Sequence, residues 1–273
     1  MLSPFVDGDW LRDHRDEVVV ADVRFYLDGR SGRDAHAAAH LPGAVFVDLA
    51  TVLSGPPSAA GGRHPLPSPA TFARGMAAAG IGDDDTVVAY DDAGGVMAAR
   101  LVWMLRAIGR DAALLDGGLA GWDGPLEQAA PSPSPAIFTA GRWPAERIAD
   151  IDDAADRANV VLDARPPARY AGGRDALDPR AGHIPGARNV PAAGAIGPDG
   201  RLLPVEDLRA RFADAGVTDA AAVVSSCGSG VTACFNLLAM EHAGLGRGRL
   251  FPGSWSAWSR DPARPVATGD EPG

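Results

Sequence analysis

Along this chain, short runs of consecutive apolar residues alternate with longer stretches in which apolar positions recur every three or four residues. Val160-Val161-Leu162 and Ala222-Val223-Val224 are apolar throughout, the pattern of strands buried on both faces. Val205 to Ala215 and Val231 to Ala243 read as helices, and each is followed by a glycine, Gly216 and Gly244, that suits a helix end. Apolar strands separated by helices predict an α/β fold in which a mainly parallel sheet is covered by helices on both faces. Ligands of such sheets bind beyond the C-terminal ends of the strands.

The pattern occurs twice. Val19-Val20-Ala21-Asp22-Val23-Arg24, followed by Ala39-His40-Leu41-Pro42-Gly43-Ala44, is answered by Val161-Leu162-Asp163-Ala164-Arg165, followed by Gly182-His183-Ile184-Pro185-Gly186-Ala187. Further on, Gly95-Val96-Met97-Ala98 is answered by Gly230-Val231-Thr232-Ala233, and Gly117 to Trp122 by Gly253 to Trp258. Four matched blocks in one order at nearly one offset indicate a tandem duplication. The expected organisation is an N-terminal domain over 1–127, a linker over 128–147 and a C-terminal domain over 148–273. The linker contains Pro131-Ser132-Pro133-Ser134-Pro135, which cannot sustain a helix or a central strand. A second irregular stretch, Ser54 to Gly62, is a long loop within the first copy.

The 273 residues suffice for two cores, and the apolar and charged shares of 46% and 22% are those of a soluble protein. No run approaches a membrane span, and the first residues lack a basic-then-apolar signal pattern, so a cytoplasmic address is expected. The net charge of −10 argues against nucleic acid or an anionic membrane as partner. All 25 basic residues are arginine, which removes lysine Schiff-base and general-base chemistry. The two cysteines, Cys227 and Cys234, have neither the number nor the spacing of a disulfide framework or a zinc site, and nothing implies a metal or organic cofactor.

The chemistry concentrates at one of those cysteines. In Val223-Val224-Ser225-Ser226-Cys227-Gly228-Ser229-Gly230-Val231-Thr232, a buried strand breaks into a glycine-rich loop headed by Cys227 and resumes as a helix. A helix N-terminus favours a thiolate, and Gly228 and Gly230 let successive amides curl inward as an anion-binding nest. Cys227 is therefore a nucleophile candidate, whereas Cys234, further along the helix, suits packing against the core. The first copy carries Asp91-Asp92-Ala93-Gly94-Gly95 in the equivalent loop, with Asp92 aligned to Cys227, and cannot perform thiol chemistry.

The paired Asp-x-Arg and His-Leu/Ile-Pro-Gly-Ala motifs, the Asp-Gly-Gly-x-x-x-Trp block and the Cys-Gly-Ser-Gly-Val-Thr loop together resemble the two-domain rhodanese family over nearly the whole chain. The loop is similar to that of the 3-mercaptopyruvate sulfurtransferase branch; the thiosulfate-preferring branch carries basic residues directly after the cysteine. The resemblance implies tandem rhodanese-like domains, the first catalytically inactive. It also implies sulfur transfer through a Cys227 persulfide, from a small donor to a thiol, cyanide or thioredoxin-like acceptor. Electrostatics supports the branch independently, because the neutral Gly228 and Ser229 suit a monocarboxylate donor better than the thiosulfate dianion.

Site roles follow from the same resemblance. The amides of Gly228, Ser229, Gly230, Val231 and Thr232 cradle the sulfur, with the Thr232 hydroxyl either closing the loop or capping the helix. Arg169 corresponds to a substrate-carboxylate arginine, and Arg174 and Arg180 are both candidates for a second. His64 resembles a histidine that joins Ser229 in a relay whose aspartate position falls at Ala50, with Asp48 two residues earlier. His40, His183, Asp22, Arg24, Asp163 and Arg165 are duplicated in the copy that lacks the thiol and read as structural; Trp122 and Trp258 read as core packing.

Other readings diverge at identifiable points. A cysteine-dependent phosphatase needs an arginine six positions after the cysteine, where Ala233 stands. A non-enzymatic persulfide carrier would use the same thiol without turning over a small donor. A thiosulfate:cyanide sulfurtransferase would keep the enzyme and change the donor.

Overall fold

The computed structural model describes residues 2–129, 133–139, 141–173 and 177–273. The chain forms two compact units, one of Met1–Gly55, Pro67–Trp143 and Ile196–Leu202, the other of Pro56–Leu66, Pro144–Ala195 and Leu203–Gly273. Two short segments thus cross the division suggested by the repeat. Within the first unit, Leu202 donates its amide to Asp116 Oδ1 at 2.6 Å. Within the second, Ser58 and Gly62 exchange backbone bonds of 2.9 and 3.1 Å, and the Arg63 amide donates to Ser256 Oγ at 3.0 Å.

The first unit contains strands β1 (Phe5–Val6), β2 (Val18–Asp22), β3 (Val45–Phe46), β4 (Thr86–Tyr90) and β5 (Ala112–Leu115) in the order β1-β5-β4-β2-β3, every pair parallel. The second contains β6 (Val160–Asp163), β7 (Arg188–Asn189), β8 (Val223–Ser226) and β9 (Arg249–Leu250) in the order β7-β6-β8-β9, again all parallel. Read from the other edge, β9-β8-β6-β7 has the order of β5-β4-β2-β3, so the duplication seen in the motifs is a duplication of topology. Consecutive strand residues point to opposite faces, and Val87 to Tyr90 and Val223 to Ser226 are all buried, so both sheets are covered on both sides.

The helices Val205–Asp214 and Ala233–His242 occupy the stretches where the apolar period placed them, and Gly216 and Gly244 follow with φ of 71° and 75°. The second helix starts two residues later than its apolar pattern suggests, because the chain first turns at Gly230 with φ of 75°. Among the described residues no helix is long and apolar enough to cross a membrane.

The duplicated motifs hold the strand ends. Arg24 Nη2 donates to Asp22 Oδ2 at 2.6 Å and to the Ala39 carbonyl at 2.6 Å; Arg165 Nη2 donates to Asp163 Oδ2 at 2.6 Å and to the Gly182 carbonyl at 2.8 Å. Each pair thus ties the end of β2 or β6 to the segment preceding its His-Leu/Ile-Pro-Gly-Ala motif. Burial works against the Asp22 charge, but hydrogen bonds from His36 and Arg24 outweigh it and lower the pKa. Breaking such a buried pair from one side costs about 3–5 kcal/mol. The motifs also deliver Leu41 and Ala44 to the core around Val20, Val88 and Tyr90, and Ile184 and Ala187 to the core around Val161, Val224 and Trp255.

His40 and His183 are buried, with Nδ1 at 2.8 Å from the His36 carbonyl and 2.9 Å from the Tyr170 carbonyl. Trp258 lies in the second core, whereas Trp122 is only half-buried beside the first. Described residues of the expected linker belong to the first unit, where Phe138 meets Phe72 edge-on at 5.6 Å and the Ala136 amide donates to the Ala77 carbonyl at 3.0 Å.

Candidate active site

The loop after β8 is shaped from both sides. Its first amide, on Cys227, donates to Ser254 Oγ at 3.1 Å, while the carbonyls of Cys227 and Gly228 accept the amides of Trp255 and Ser256 at 3.0 and 2.9 Å. Ser254 adopts φ of 48°, unusual for a residue with a side chain, and its hydroxyl also donates to the Phe251 carbonyl at 2.8 Å. Gly230 then reverses the chain, and a Cβ there would lie 2.5 Å from the Pro252 carbonyl oxygen, so only glycine fits. This turn aims the Gly230 amide at Cys227 Sγ, 3.1 Å away. Cys227 is 2% exposed, so its sulfur sits in a largely water-excluded setting.

Two positions after Cys227 on the loop, Ser229 Oγ and His64 Nδ1 share a hydrogen bond of 2.8 Å. His64 lies 165 positions earlier in sequence, on the Pro56–Leu66 segment that belongs to the second unit. Asp48 belongs to the first unit, where its carboxylate accepts the Thr51 amide at 2.9 Å. Val231 is buried, and Thr232 occupies the N-cap of Ala233–His242 without a capping hydrogen bond from its hydroxyl, which sets aside the cap role. Cys234 is fully buried, its thiol 3.4 Å from the Gly230 carbonyl.

The three arginines fare differently. Arg169, in the short helix Pro167–Tyr170, has Nη2 at 3.5 Å from Asp178 Oδ2, and a Cβ on Gly228 would stand 3.3 Å from that same Nη2. Arg180 is a correction: its guanidinium donates to the carbonyls of Ser259, Arg264, Trp258 and Asp261 at 2.8, 2.8, 2.9 and 2.5 Å. It secures the chain around the end of the helix Ser254–Trp258, and its donors are committed there rather than offered to a ligand. Arg174 lies outside the described residues.

Three residues that sequence reasoning passed over complete the surroundings. Arg63, next to His64, pairs with Asp178 and donates to the Leu177 carbonyl at 3.2 Å, and a Cβ on Gly228 would stand 3.1 Å from its Nη2. Asp178 thereby ties both guanidinium groups at the loop. Ser254 anchors the first loop amide. Arg63 was legible in principle as the arginine next to His64, whereas Asp178 and Ser254 carry no sequence signal of their own.

The corresponding loop of the first unit has a different occupant. Asp22 pairs with Tyr90 and Asp163 with Ser226, so the strand register aligns Cys227 with Asp91, not with Asp92, and the first loop is one residue longer. Asp92 is exposed and accepts the Tyr26 hydroxyl. The buried Asp91 carboxylate accepts four amides, from Ala93 and Gly95 on Oδ1 at 2.7 Å each, and from Met97 and Ala98 on Oδ2 at 2.7 and 2.8 Å. Burial pushes its pKa up, and the four amides pull against that shift. The nest is retained, with a built-in carboxylate as its anion. Asp91→Asn keeps the shape but turns an NH2 group on two of those amides; it is expected to cost about 2–3 kcal/mol, read by denaturant unfolding of the first unit.

Comparison with known proteins agrees with this architecture. The rhodanese-like domain family matches residues 7–124 and again 147–261. A probable 3-mercaptopyruvate sulfurtransferase of Pseudomonas aeruginosa is 44% identical over 268 residues, covering 93% of each chain. SseB of Mycobacterium tuberculosis, which bears a thiosulfate sulfurtransferase name, is 40% identical over 262 residues, covering 93% of this chain and 92% of its own. The crystal structure of the Escherichia coli 3-mercaptopyruvate sulfurtransferase SseA superposes with a TM-score of 0.79 at 34% identity, over 93% of this chain and 100% of that one. Two copies of one α/β topology, one thiol loop and full-length kinship to such enzymes place the chain in the rhodanese family, as a tandem-domain sulfurtransferase of its 3-mercaptopyruvate branch.

Proposed function

We propose that this enzyme takes the thiol sulfur of 3-mercaptopyruvate and passes it, as the outer sulfur of a persulfide on Cys227, to a thiol, cyanide or thioredoxin-like acceptor. The observation that carries the reading is the junction of a thiol held by the Gly230 amide with the neighbouring Ser229–His64 pair, in a loop whose own side chains are uncharged.

The Cys227 thiolate forms an S–S bond with the donor sulfur. The carbon–sulfur bond of the donor breaks, and its electron pair passes into the enolate of pyruvate. That enolate needs a proton to leave as pyruvate, and the Ser229 hydroxyl, two positions after the thiol on the same loop and replenished through His64, is suited to supply it. The loop amides hold the persulfide until an acceptor thiolate or cyanide attacks its outer sulfur and returns the Cys227 thiolate. Two half-reactions on one enzyme predict ping-pong kinetics.

One observation favours thiosulfate as a second donor. The guanidinium groups of Arg63 and Arg169 both approach Gly228 and offer the cationic contacts that the loop itself lacks. Steady-state transfer to cyanide from each donor decides the order. kcat/KM for 3-mercaptopyruvate is expected to exceed that for thiosulfate by about tenfold or more, an advantage of the matched monoanion over the dianion. Preference for thiosulfate would reverse the assignment, and absence of turnover with both would leave a persulfide carrier.

A further inference from the structure

Beside the thiol loop, a buried carboxylate stands against two guanidinium groups. Asp178, whose side chain is fully buried, pairs with Arg63 through Oδ1 and stands 3.5 Å from Arg169 Nη2 through Oδ2. Both arginines are mostly buried, with side chains 18% and 26% exposed, so their charges are weakly screened by water. Both also reach the residue that follows the nucleophile: the Cβ position of Gly228 lies 3.1 Å from Arg63 Nη2 and 3.3 Å from Arg169 Nη2. Any side chain at 228 would fill the space between the guanidinium tips and the loop.

We infer that Asp178 sets the charge of this anion site and thereby the choice of sulfur donor. Asp178 removes one unit from the positive charge that Arg63 and Arg169 bring to the site. A monocarboxylate such as 3-mercaptopyruvate needs less of that charge than a dianion such as thiosulfate, whose second negative charge is costly in a poorly solvated site when left uncompensated. The uncharged loop and Asp178 thus act in the same direction: the loop withholds local cations, and Asp178 cancels one of the two brought by Arg63 and Arg169. Arg63 shares a segment with His64, so one strap of chain supplies both a proton-relay group and half of the anion site. Asp178 touches no reacting atom in this account. It acts through the two arginines.

The inference rests on the donor assignment above, and the test separates the two. In Asp178→Asn one carbonyl oxygen still accepts from Arg63 while the negative charge is gone. The ratio of kcat/KM for thiosulfate to that for 3-mercaptopyruvate is expected to rise by about tenfold or more, since an added net charge favours the dianion. Arg63→Gln changes the charge in the opposite sense, and the same ratio is expected to fall, with KM for 3-mercaptopyruvate raised more than kcat is lowered. Opposite movement of the two ratios is a signature that misfolding, which lowers both activities together, cannot produce. If both variants lose activity with the two donors in equal proportion, Asp178 merely fastens the arginines and the inference fails. Should Asp178→Asn not fold, an unchanged ratio in Arg63→Gln overturns the inference by itself. Wild-type preference for thiosulfate would overturn the donor assignment instead, while the direction of the Asp178→Asn shift would still report on its charge.

Discussion

Cys227→Ser is expected to abolish sulfur transfer from 3-mercaptopyruvate and from thiosulfate alike, lowering kcat/KM by about three orders of magnitude or more. The hydroxyl that replaces the thiol can still accept the Gly230 amide, so the loop and the fold should survive. What is lost is chemical. A serine hydroxyl is not ionised near neutrality and cannot form the sulfur–sulfur bond that stores the transferred atom. Cys234 cannot substitute, because it is fully buried and its thiol lies against the Gly230 carbonyl on the helix side of the loop. The measurement pairs turnover with intact-protein mass after exposure to donor without acceptor. The parent protein should gain the mass of one sulfur atom and release it to cyanide, and the variant should gain none. Turnover that persists in the variant would show that sulfur passes directly between donor and acceptor, and the persulfide route would be wrong.

Ser229→Ala comes second in size and separates the two donors. Removing the hydroxyl deletes the partner of His64 Nδ1 and the proposed proton source for the enolate, an effect of about 10²–10⁴-fold in kcat for general acid catalysis. Thiosulfate transfers the same sulfur but releases sulfite, which needs no proton on carbon, so its turnover should fall far less. A loss confined to 3-mercaptopyruvate therefore identifies Ser229 as an acid in carbon–sulfur cleavage. Equal losses would mean that the hydroxyl only holds the loop in shape. His64→Ala should reproduce the donor-selective loss, since the same hydrogen bond is broken from the other side.

Cys227 is legible as the candidate nucleophile because a strand, a glycine-rich turn and a helix are all local, and their order places it in the turn between β8 and the helix Ala233–His242. The need for glycine at 230 belongs with it, although the Pro252 carbonyl that enforces it does not. The duplicated Asp-x-Arg and His-Leu/Ile-Pro-Gly-Ala motifs were likewise readable as framework, since they occur in the copy without a thiol; the bonds from Arg24 and Arg165 that join the two motifs span 15 and 17 positions.

The misreadings have a shared origin. Asp92 was aligned with Cys227 through the Gly-Val block, which ignores the extra residue in the first loop; strand register moves the match to Asp91 and turns an exposed acid into a buried one with four amide partners. Arg180 has the composition of a ligand arginine and is spent on four carbonyls between 258 and 264. Nothing in a sequence reveals whether a guanidinium's donors are already taken.

Local order and repetition determined the fold class, the duplication and the choice of Cys227 as candidate nucleophile, because they depend on periodicity, turn chemistry and residues near one another in the chain. Tertiary structure alone decided which groups attend the sulfur. His64 and Arg63 join Ser229 and Asp178 across 165 and 115 positions, and the segment bearing them belongs to the second unit although it lies in the first copy of the repeat. Contacts of that range follow from how the chain is routed between units, and routing leaves no mark on the local pattern of apolar and polar residues.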